Sequence, residues 1–195
     1  MNQEKKYRTI LADPPWDIQQ RGARGAARHY NLMSLDEIKS MPIAGLVEEN
    51  AHCYLWTTNA AVEAGYEVLR AWGFQPRSIC TWLKINGLGL GVYFRNSTEQ
   101  LLFGTRGVAP FLFKAQPSYI IAPRQDHSHK PEEQFAIIER CSPGPYLELF
   151  ARRKWKPNWD IWGNEVDSDI DIPGYPVPSS PVTRKAHAEG DGHAC

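Results

Sequence analysis

Asp13-Pro14-Pro15-Trp16 places a carboxylate, two residues without a backbone N–H and a broad indole in four consecutive positions, directly after the apolar run Thr9-Ile10-Leu11-Ala12. Proline fixes φ and cannot donate to a sheet ladder, so a strand must end here. The residue before a proline is also kept out of the helical region. The carbonyls of Asp13 and Pro14 then have no ladder to enter and are expected to face a cleft. A carboxylate and a carbonyl side by side accept the two hydrogens of an amine, and an indole stacks on a flat ring. The chemistry this predicts is recognition of a planar ring bearing an NH2 group. Adenine and cytosine are the biological rings of that kind; an ordinary strand exit with a packed Trp is the plainer alternative.

Other groups of residues add to this. Ser128-His129-Lys130-Pro131 opens a predicted helix, where a lysine beside the positive helix end can reach an anionic group, although on spacing alone a solvated loop lysine beside a capping Ser is the slightly favoured alternative. Glu148-Leu149-Phe150-Ala151-Arg152 ends a predicted strand, and Asn158-Trp159 and Gly163-Asn164-Glu165 follow. An amide or carboxylate at such an end suits the vicinal hydroxyls of a ribose, with simple turn chemistry around Gly163 as the even alternative. Neither a G-x-G-x-x-G pattern nor a P-loop occurs, which disfavours a dinucleotide or nucleotide-triphosphate enzyme. His127 and His129 have no third ligand near them, so no metal site is expected. Trp16, Tyr30, Tyr93 and Phe94 fall in predicted loops, where aromatics stack on bases.

These residues need a scaffold that brings strand ends together. Period-two apolar runs predict strands at Tyr7–Ala12, His52–Trp56, Ser78–Leu83, Glu99–Gly104, Tyr119–Ala122 and Tyr146–Phe150, with a short one at Trp159–Trp162. Ser34 with Glu37 forms a capping box for a helix to about Met41. Asn59 is the expected cap of a longer helix through Val62, Tyr66, Leu69 and Trp72, ended by Gly73. Pro131 is expected in the first turn of another, with Phe135, Ile137, Ile138 and Cys141 as its apolar positions. Strands alternating with helices predict an α/β fold: a mostly parallel sheet covered on both faces, with ligands bound beyond the carboxyl ends of the strands. Asp13 and Phe150 both lie at such ends. From about Asp167 the composition turns to Asp, Pro, Ser, Gly and His, which predicts one domain over residues 1–166 and a disordered tail over 167–195.

A chain of 195 residues with 42% hydrophobic and 23% charged residues fits one globular domain. No apolar run approaches the roughly 20 residues that span a bilayer, and no secretory leader is apparent, so no membrane association is expected. Cysteines 53, 80, 141 and 195 are scattered without a C-x-x-C, which suggests neither a disulfide framework nor a zinc site and points to a reduced, cytoplasmic setting. The formal net charge is zero, unlike a typical nucleic-acid binder. Its distribution is less even: Arg21, Arg24, Arg28 and His29 are clustered, as are Arg152, Arg153, Lys154 and Lys156. A neutral sum can conceal a basic face.

Taken in order, D-P-P-W after a strand, S-H-K-P before a helix, I-E-R-x-S-P-G, E-L-F-x-R, P-N-W and G-N-E resemble the DPPW-type adenine-N6 methyltransferases, the "MT-A-seventy" family, over roughly Tyr7 to Val166. That family includes the catalytic subunit of the eukaryotic messenger-RNA adenosine methyltransferase and many compact bacterial and phage proteins. The resemblance implies a Rossmann-like, S-adenosylmethionine-dependent methyltransferase fold in permuted order, with the catalytic strand N-terminal and the cofactor strand C-terminal. It implies that Asp13, Pro14, Pro15 and Trp16 grip the target adenine. It implies that Asp13, Lys130, Phe150, Arg152, Asn164 and Glu165 contact S-adenosylmethionine, Glu165 standing where the messenger-RNA enzyme has glutamine. The loops after Trp16 and from Pro123 to Lys130 match those that close over the active site, so Arg21, Arg24, Arg28, Tyr30, Arg124 and His129 are the expected nucleic-acid contacts.

Two departures stand out. Few residues precede Tyr7, so the contact that an upstream segment makes with the cofactor adenine in the eukaryotic enzyme must come from elsewhere or be lost. The zinc fingers of eukaryotic members have no counterpart here. The expected activity is methyl transfer to adenine N6 in nucleic acid, DNA ahead of RNA because the chain resembles the compact bacterial and phage members. A short recognition sequence, a homodimer or a second subunit is expected with it. Cytosine N4 methylation, RNA methylation and a catalytically dead binding subunit are the alternatives; intact Asp13 and Trp16 count against the last.

Overall fold

The computed structural model describes residues 5–17, 32–89, 93–125 and 129–175. All seven predicted strands form: β1 (Tyr7–Ala12), β2 (Val47–Thr57), β3 (Gln75–Lys84), β4 (Thr98–Arg106), β5 (Tyr119–Ala122), β6 (Tyr146–Leu149) and β7 (Trp159–Trp162). They make one sheet in the order β5-β3-β4-β2-β1-β6-β7. Four of its pairings are parallel, and β4 runs antiparallel to both β2 and β3. The sheet is therefore mostly parallel, with one reversed strand.

Alternation along the strands creates two apolar faces. Cys53 and Leu55 of β2 join Leu102 of β4 on one face, beneath α1 (Leu35–Ser40), α2 (Ile43–Leu46) and α3 (Val62–Ala71). Tyr54 and Trp56 join Leu101 and Trp82 on the other, beneath α4 (Glu133–Cys141). Burying both faces explains why these strands read as nearly continuous apolar runs.

The helix ends follow the expected chemistry in part. Ser34 and Glu37 form both halves of the capping box, and Gly73 closes α3 with φ +87°, a conformation costly for any residue with a Cβ. Asn59 is not the cap of α3. A 3-10 turn over Asn59–Ala61 precedes the helix, and the Asn59 side chain instead bridges to Thr98 and Gln100 on β4. Side-chain partners across the sheet end outcompete the local cap. Pro131 also stands outside its helix, which begins at Glu133, and its carbonyl accepts the Gln134 N–H.

The boundary expected at residue 166 falls too early. Asp169 accepts the Lys154 ammonium at 2.8 Å and the Ile161 N–H at 3.0 Å, while its own N–H donates to the Ile161 carbonyl. Ile172 is buried in the core, and the Tyr175 hydroxyl donates to the Glu37 carbonyl. Composition hid this because the acidic residues after 166 meet the basic run after β6. The remainder of the expected tail, 176–195, lies outside the described residues.

Candidate active site

The register sets the site. Ala12 is level with Leu55 of β2 and with Leu149 of β6, so Asp13 and Phe150 leave the sheet at one height, level with Trp56 of β2. From β1 the chain crosses to β2 on one side, while β6 continues to β7 on the other. The crevice between β1 and β6 is thus a topological switch point, where open α/β sheets bind ligands. A cleft opens there. Its walls include Asp13, Trp56, Lys130, Glu148, Phe150 and Arg152.

Reversal of β4 brings its first residues to the edge where the parallel strands finish. Glu99 therefore meets Lys130, whose ammonium lies 2.7 Å from Asp13 Oδ2 and 3.4 Å from Glu99 Oε2, with Lys84 bonded to Glu99 from the other side. Lys130 also sits 5.6 Å from the centre of the Trp56 indole. Burial works to discharge this lysine, but Asp13 and Glu99 outweigh it and hold its pKa above the ordinary value. Burial likewise raises Glu99, and Lys130 and Lys84 overcome it to leave that carboxyl low. For Asp13 burial prevails over Lys130 and keeps the carboxyl above the usual range. Glu148, desolvated first and repelled by Asp13 second, is pushed up to about 8.

The proline turn differs from expectation in one respect. Its carbonyls are partly used: Pro14 accepts the Trp16 N–H at 2.9 Å, an i→i+2 closure, and Pro15 accepts the Met33 N–H at 2.8 Å. One lone pair of the Pro14 oxygen remains for another donor. Trp16 does not line the cleft. Its indole N–H donates to the Trp56 carbonyl at 3.0 Å, and the ring packs, part exposed, against the core beneath α1 and α3.

On the β6 side, Phe150 adopts φ +63°. A residue with a Cβ held there carries roughly 1–3 kcal/mol of strain, which persists only where the surroundings over-determine it. An edge-on contact with Trp162 at 5.3 Å helps to fix it. Arg152 and Glu165 form an ion pair at 2.9 Å that ties the loop after β6 to the loop after β7. Gly163 makes that approach possible: a Cβ there would stand 2.0 Å from the Ala151 carbonyl oxygen. Asn164 and Glu165 follow it but are not cleft walls. At the rim, His129 stacks on Trp155 at 5.2 Å and meets Arg153 Nη2 at 2.9 Å.

The structure therefore gathers Asp13, Lys130, Phe150, Arg152 and His129 around one opening. Arg124 is not with them; it is exposed, and its backbone is tied to Asn86. Arg21, Arg24, Arg28 and Tyr30 lie outside the described residues. Asn158 and Trp159, from P-N-W, do not face the cleft either: both donate to Glu139, the acid of I-E-R, which makes this motif pair a brace between α4 and β7. The sequence reading gave no role to Glu99, Lys84, Gln134 or Trp155. The available signal for the first two was a charge at the end of an otherwise apolar strand. Among the described residues no group of three or more His, Cys, Asp or Glu is placed to hold a metal ion.

A seven-stranded sheet with one reversed strand in its interior, a switch-point cleft and acidic groups at its mouth define a Rossmann-like α/β fold. Sequence comparison then specifies it. The MT-A70 family model matches residues 7–165. The "N(6)-adenosine-methyltransferase MT-A70-like protein" of Drosophila melanogaster is 33% identical over 172 residues, covering 83% of this chain and 27% of its own length. The human "N(6)-adenosine-methyltransferase catalytic subunit METTL3" is 32% identical over 172 residues, with 83% and 28% covered. The human "N(6)-adenine-specific methyltransferase METTL4" is 29% identical over 186 residues, with 85% and 39% covered. The chain thus spans between about a quarter and two fifths of the length of these relatives. It belongs to the MT-A70 family, whose fold is the Rossmann-like fold of S-adenosylmethionine-dependent methyltransferases.

Proposed function

We propose that this protein transfers a methyl group from S-adenosylmethionine to the exocyclic N6 of adenine in nucleic acid, with DNA ahead of RNA as substrate. The observation that carries the reading is Asp13, held by Lys130 at 2.7 Å in the switch-point cleft of an MT-A70 domain. The order DNA before RNA rests on the sequence resemblance to compact bacterial and phage members alone.

The cleft suits the cofactor. It has a wall residue of unusual backbone in Phe150 and a buried carboxyl oxygen on Glu148 that has no hydrogen-bond partner. Asp13, Lys130, Phe150 and Arg152 would hold the cofactor there, with Asn164 and Glu165 from the next loop. When bound, it supplies an electrophilic methyl group on a sulfonium.

The chain's own task is to present the amine. The N6 lone pair is delocalised into the ring, and nitrogen gains positive character as it attacks. Asp13 and the free lone pair of the Pro14 carbonyl accept the two N–H groups, and their fixed positions stabilise that charge without reorganisation. Lys130 keeps Asp13 in place between these events. The Trp16 indole N–H anchors the turn to β2. A duplex substrate would need its adenine flipped out, at a few kcal/mol. The protein is expected to work in the cytoplasm, alone, as a homodimer or with a second subunit.

The test uses labelled S-adenosylmethionine with unmethylated duplex DNA, single-stranded DNA and RNA, followed by identification of the labelled nucleoside. N6-methyladenine is expected. Asp13→Ala should lower turnover at least about 100-fold, the loss typical of a preorganised electrostatic group, with the fold retained. Label in N4-methylcytosine, or unchanged turnover in the variant, would overturn the assignment.

A further inference from the structure

One donor in the cleft has no part in presenting the amine. Gln134, in the first turn of α4, is only 4% exposed and forms part of the cleft wall. Its side-chain oxygen accepts the Trp56 indole N–H at 2.7 Å, between two buried side chains. An indole nitrogen can only donate, so this bond settles which end of the amide is which. Oε1 faces Trp56, and Nε2 with its two hydrogens is turned from the indole. No oxygen among the described residues accepts from Nε2. That nitrogen is not sealed from solvent, and the cleft wall is where the side chain meets solvent.

A largely buried amide that uses one end and leaves the other unpaired calls for an explanation. An acceptor on a ligand supplies one that also accounts for the place. The backbone at this end of α4 is already engaged: the Gln134 N–H donates to Pro131 and the Phe135 N–H to Glu132. The side chain is therefore the donor offered there. Charge narrows the kind of acceptor. Lys130 and Gln134 line the cleft from the α4 side, whereas the carboxyls of Asp13 and Glu148 line it from the strands. At the mouth, Arg152 pairs with Glu165 and Arg153 meets His129. Donors and acceptors are thus divided across the opening, and a zwitterionic group fits such a division.

We infer that Gln134 donates from Nε2 to the carboxylate of an amino-acid group on the bound ligand, and that Trp56 positions it by holding the amide in one orientation. This inference rests on the methyltransferase reading, whose cofactor ends in such a group and carries no other anion. The sheet order agrees with it. Trp56 at the end of β2 and the loop after β7 flank the crevice from opposite sides. A ribose held by Asn164 and Glu165 on the β7 side leaves the amino-acid end on the Gln134 side.

The experiment is calorimetric titration of the full chain with S-adenosylmethionine and, separately, with decarboxylated S-adenosylmethionine, which differs only in lacking the carboxylate. Gln134→Met keeps the length of the side chain and removes the donor. It should weaken S-adenosylmethionine binding about 10- to 100-fold, the loss for one hydrogen bond to a charged group, and leave the decarboxylated ligand unchanged. Gln134→Glu keeps an acceptor for the Trp56 N–H and should weaken S-adenosylmethionine at least as much, again sparing the decarboxylated ligand. Equal losses for the two ligands mark a structural role and overturn the inference, as does no loss for either; both leave the methyltransferase reading standing. Failure of the wild type to bind either ligand overturns both. On the unmodified, isotope-labelled protein, the Gln134 side-chain amide protons should shift downfield with S-adenosylmethionine and not with the decarboxylated ligand. Absence of that difference overturns the inference even if neither variant folds.

Discussion

Replacing Lys130 with Met keeps the aliphatic stem against Trp56 and removes the charge between two carboxylates. Breaking a buried ion pair by deleting one partner typically costs 3–5 kcal/mol. The cost here should lie lower, because the Asp13 side chain is 34% exposed and Glu99 keeps Lys84. About 2–3 kcal/mol at pH 7.5 is the expected loss. It should also depend on pH in a definite direction. Without the ammonium, the folded-state pKa of Asp13 rises further above its unfolded value. A carboxyl raised in this way destabilises the folded state above that pKa, and the penalty fades as pH falls and the proton goes on. Urea denaturation at pH 5, 6 and 7.5 should therefore show a Lys130→Met deficit that shrinks toward acid. Asp13→Asn combined with Lys130→Met should recover part of it, since the two groups are in contact and couple. A deficit below about 0.5 kcal/mol, the scale of an exposed pair, or one equal at all three pH values, would refute the view that this lysine holds the two carboxyls together.

Three further outcomes follow from the geometry. His52 donates from Nε2 to the Ala109 carbonyl, so its Nδ1 must accept from Ser142, whose hydroxyl oxygen accepts from Tyr54; Ser142→Ala should cost about 1–3 kcal/mol by orphaning both, as read by thermal or urea unfolding. Burial holds the His52 pKa below its ordinary value, so the neutral ring's contribution is complete above about pH 6.5 and is lost as pH falls below it; a His52→Gln variant should flatten that part of the stability profile. Gly163→Ala would force a methyl to within 2.0 Å of the Ala151 carbonyl oxygen, and should both lower stability by more than about 2 kcal/mol and weaken S-adenosylmethionine binding in calorimetry. Wild-type values for both would show that the two loops separate easily.

The strands and the proline turn were legible because their signals are local. Alternation in Tyr54, Leu55 and Trp56 encodes two buried faces, and Asp13-Pro14-Pro15 cannot prolong a strand. What stayed hidden depends on partners distant in sequence. Asn59 has the composition of a cap, yet Thr98 and Gln100 of β4 claim its side chain. Asp169 has the composition of a tail, yet Lys154 and β7 hold it in place. Glu99 offered no motif because its function comes from the direction of its strand. Trp16 belongs to the proline turn, but its anchor on the Trp56 carbonyl and its absence from the cleft wall are tertiary facts. The unusual backbone of Phe150 had no signal at all, since nothing in Leu149-Phe150-Ala151 demands a positive φ.

The reversed strand also bears on motion. Asp13 and Lys130 stand on loops, whereas Glu99 belongs to a strand bonded to neighbours on both sides. The lysine thus has one partner on a loop and one on a strand. It can let go of Asp13 when a ligand claims that carboxylate without becoming an isolated charge, because Glu99 stays where the sheet puts it. The handover then resembles a gate turning on a fixed post more than an ion pair breaking, and the post is set by a segment that runs against the direction of the rest of the site.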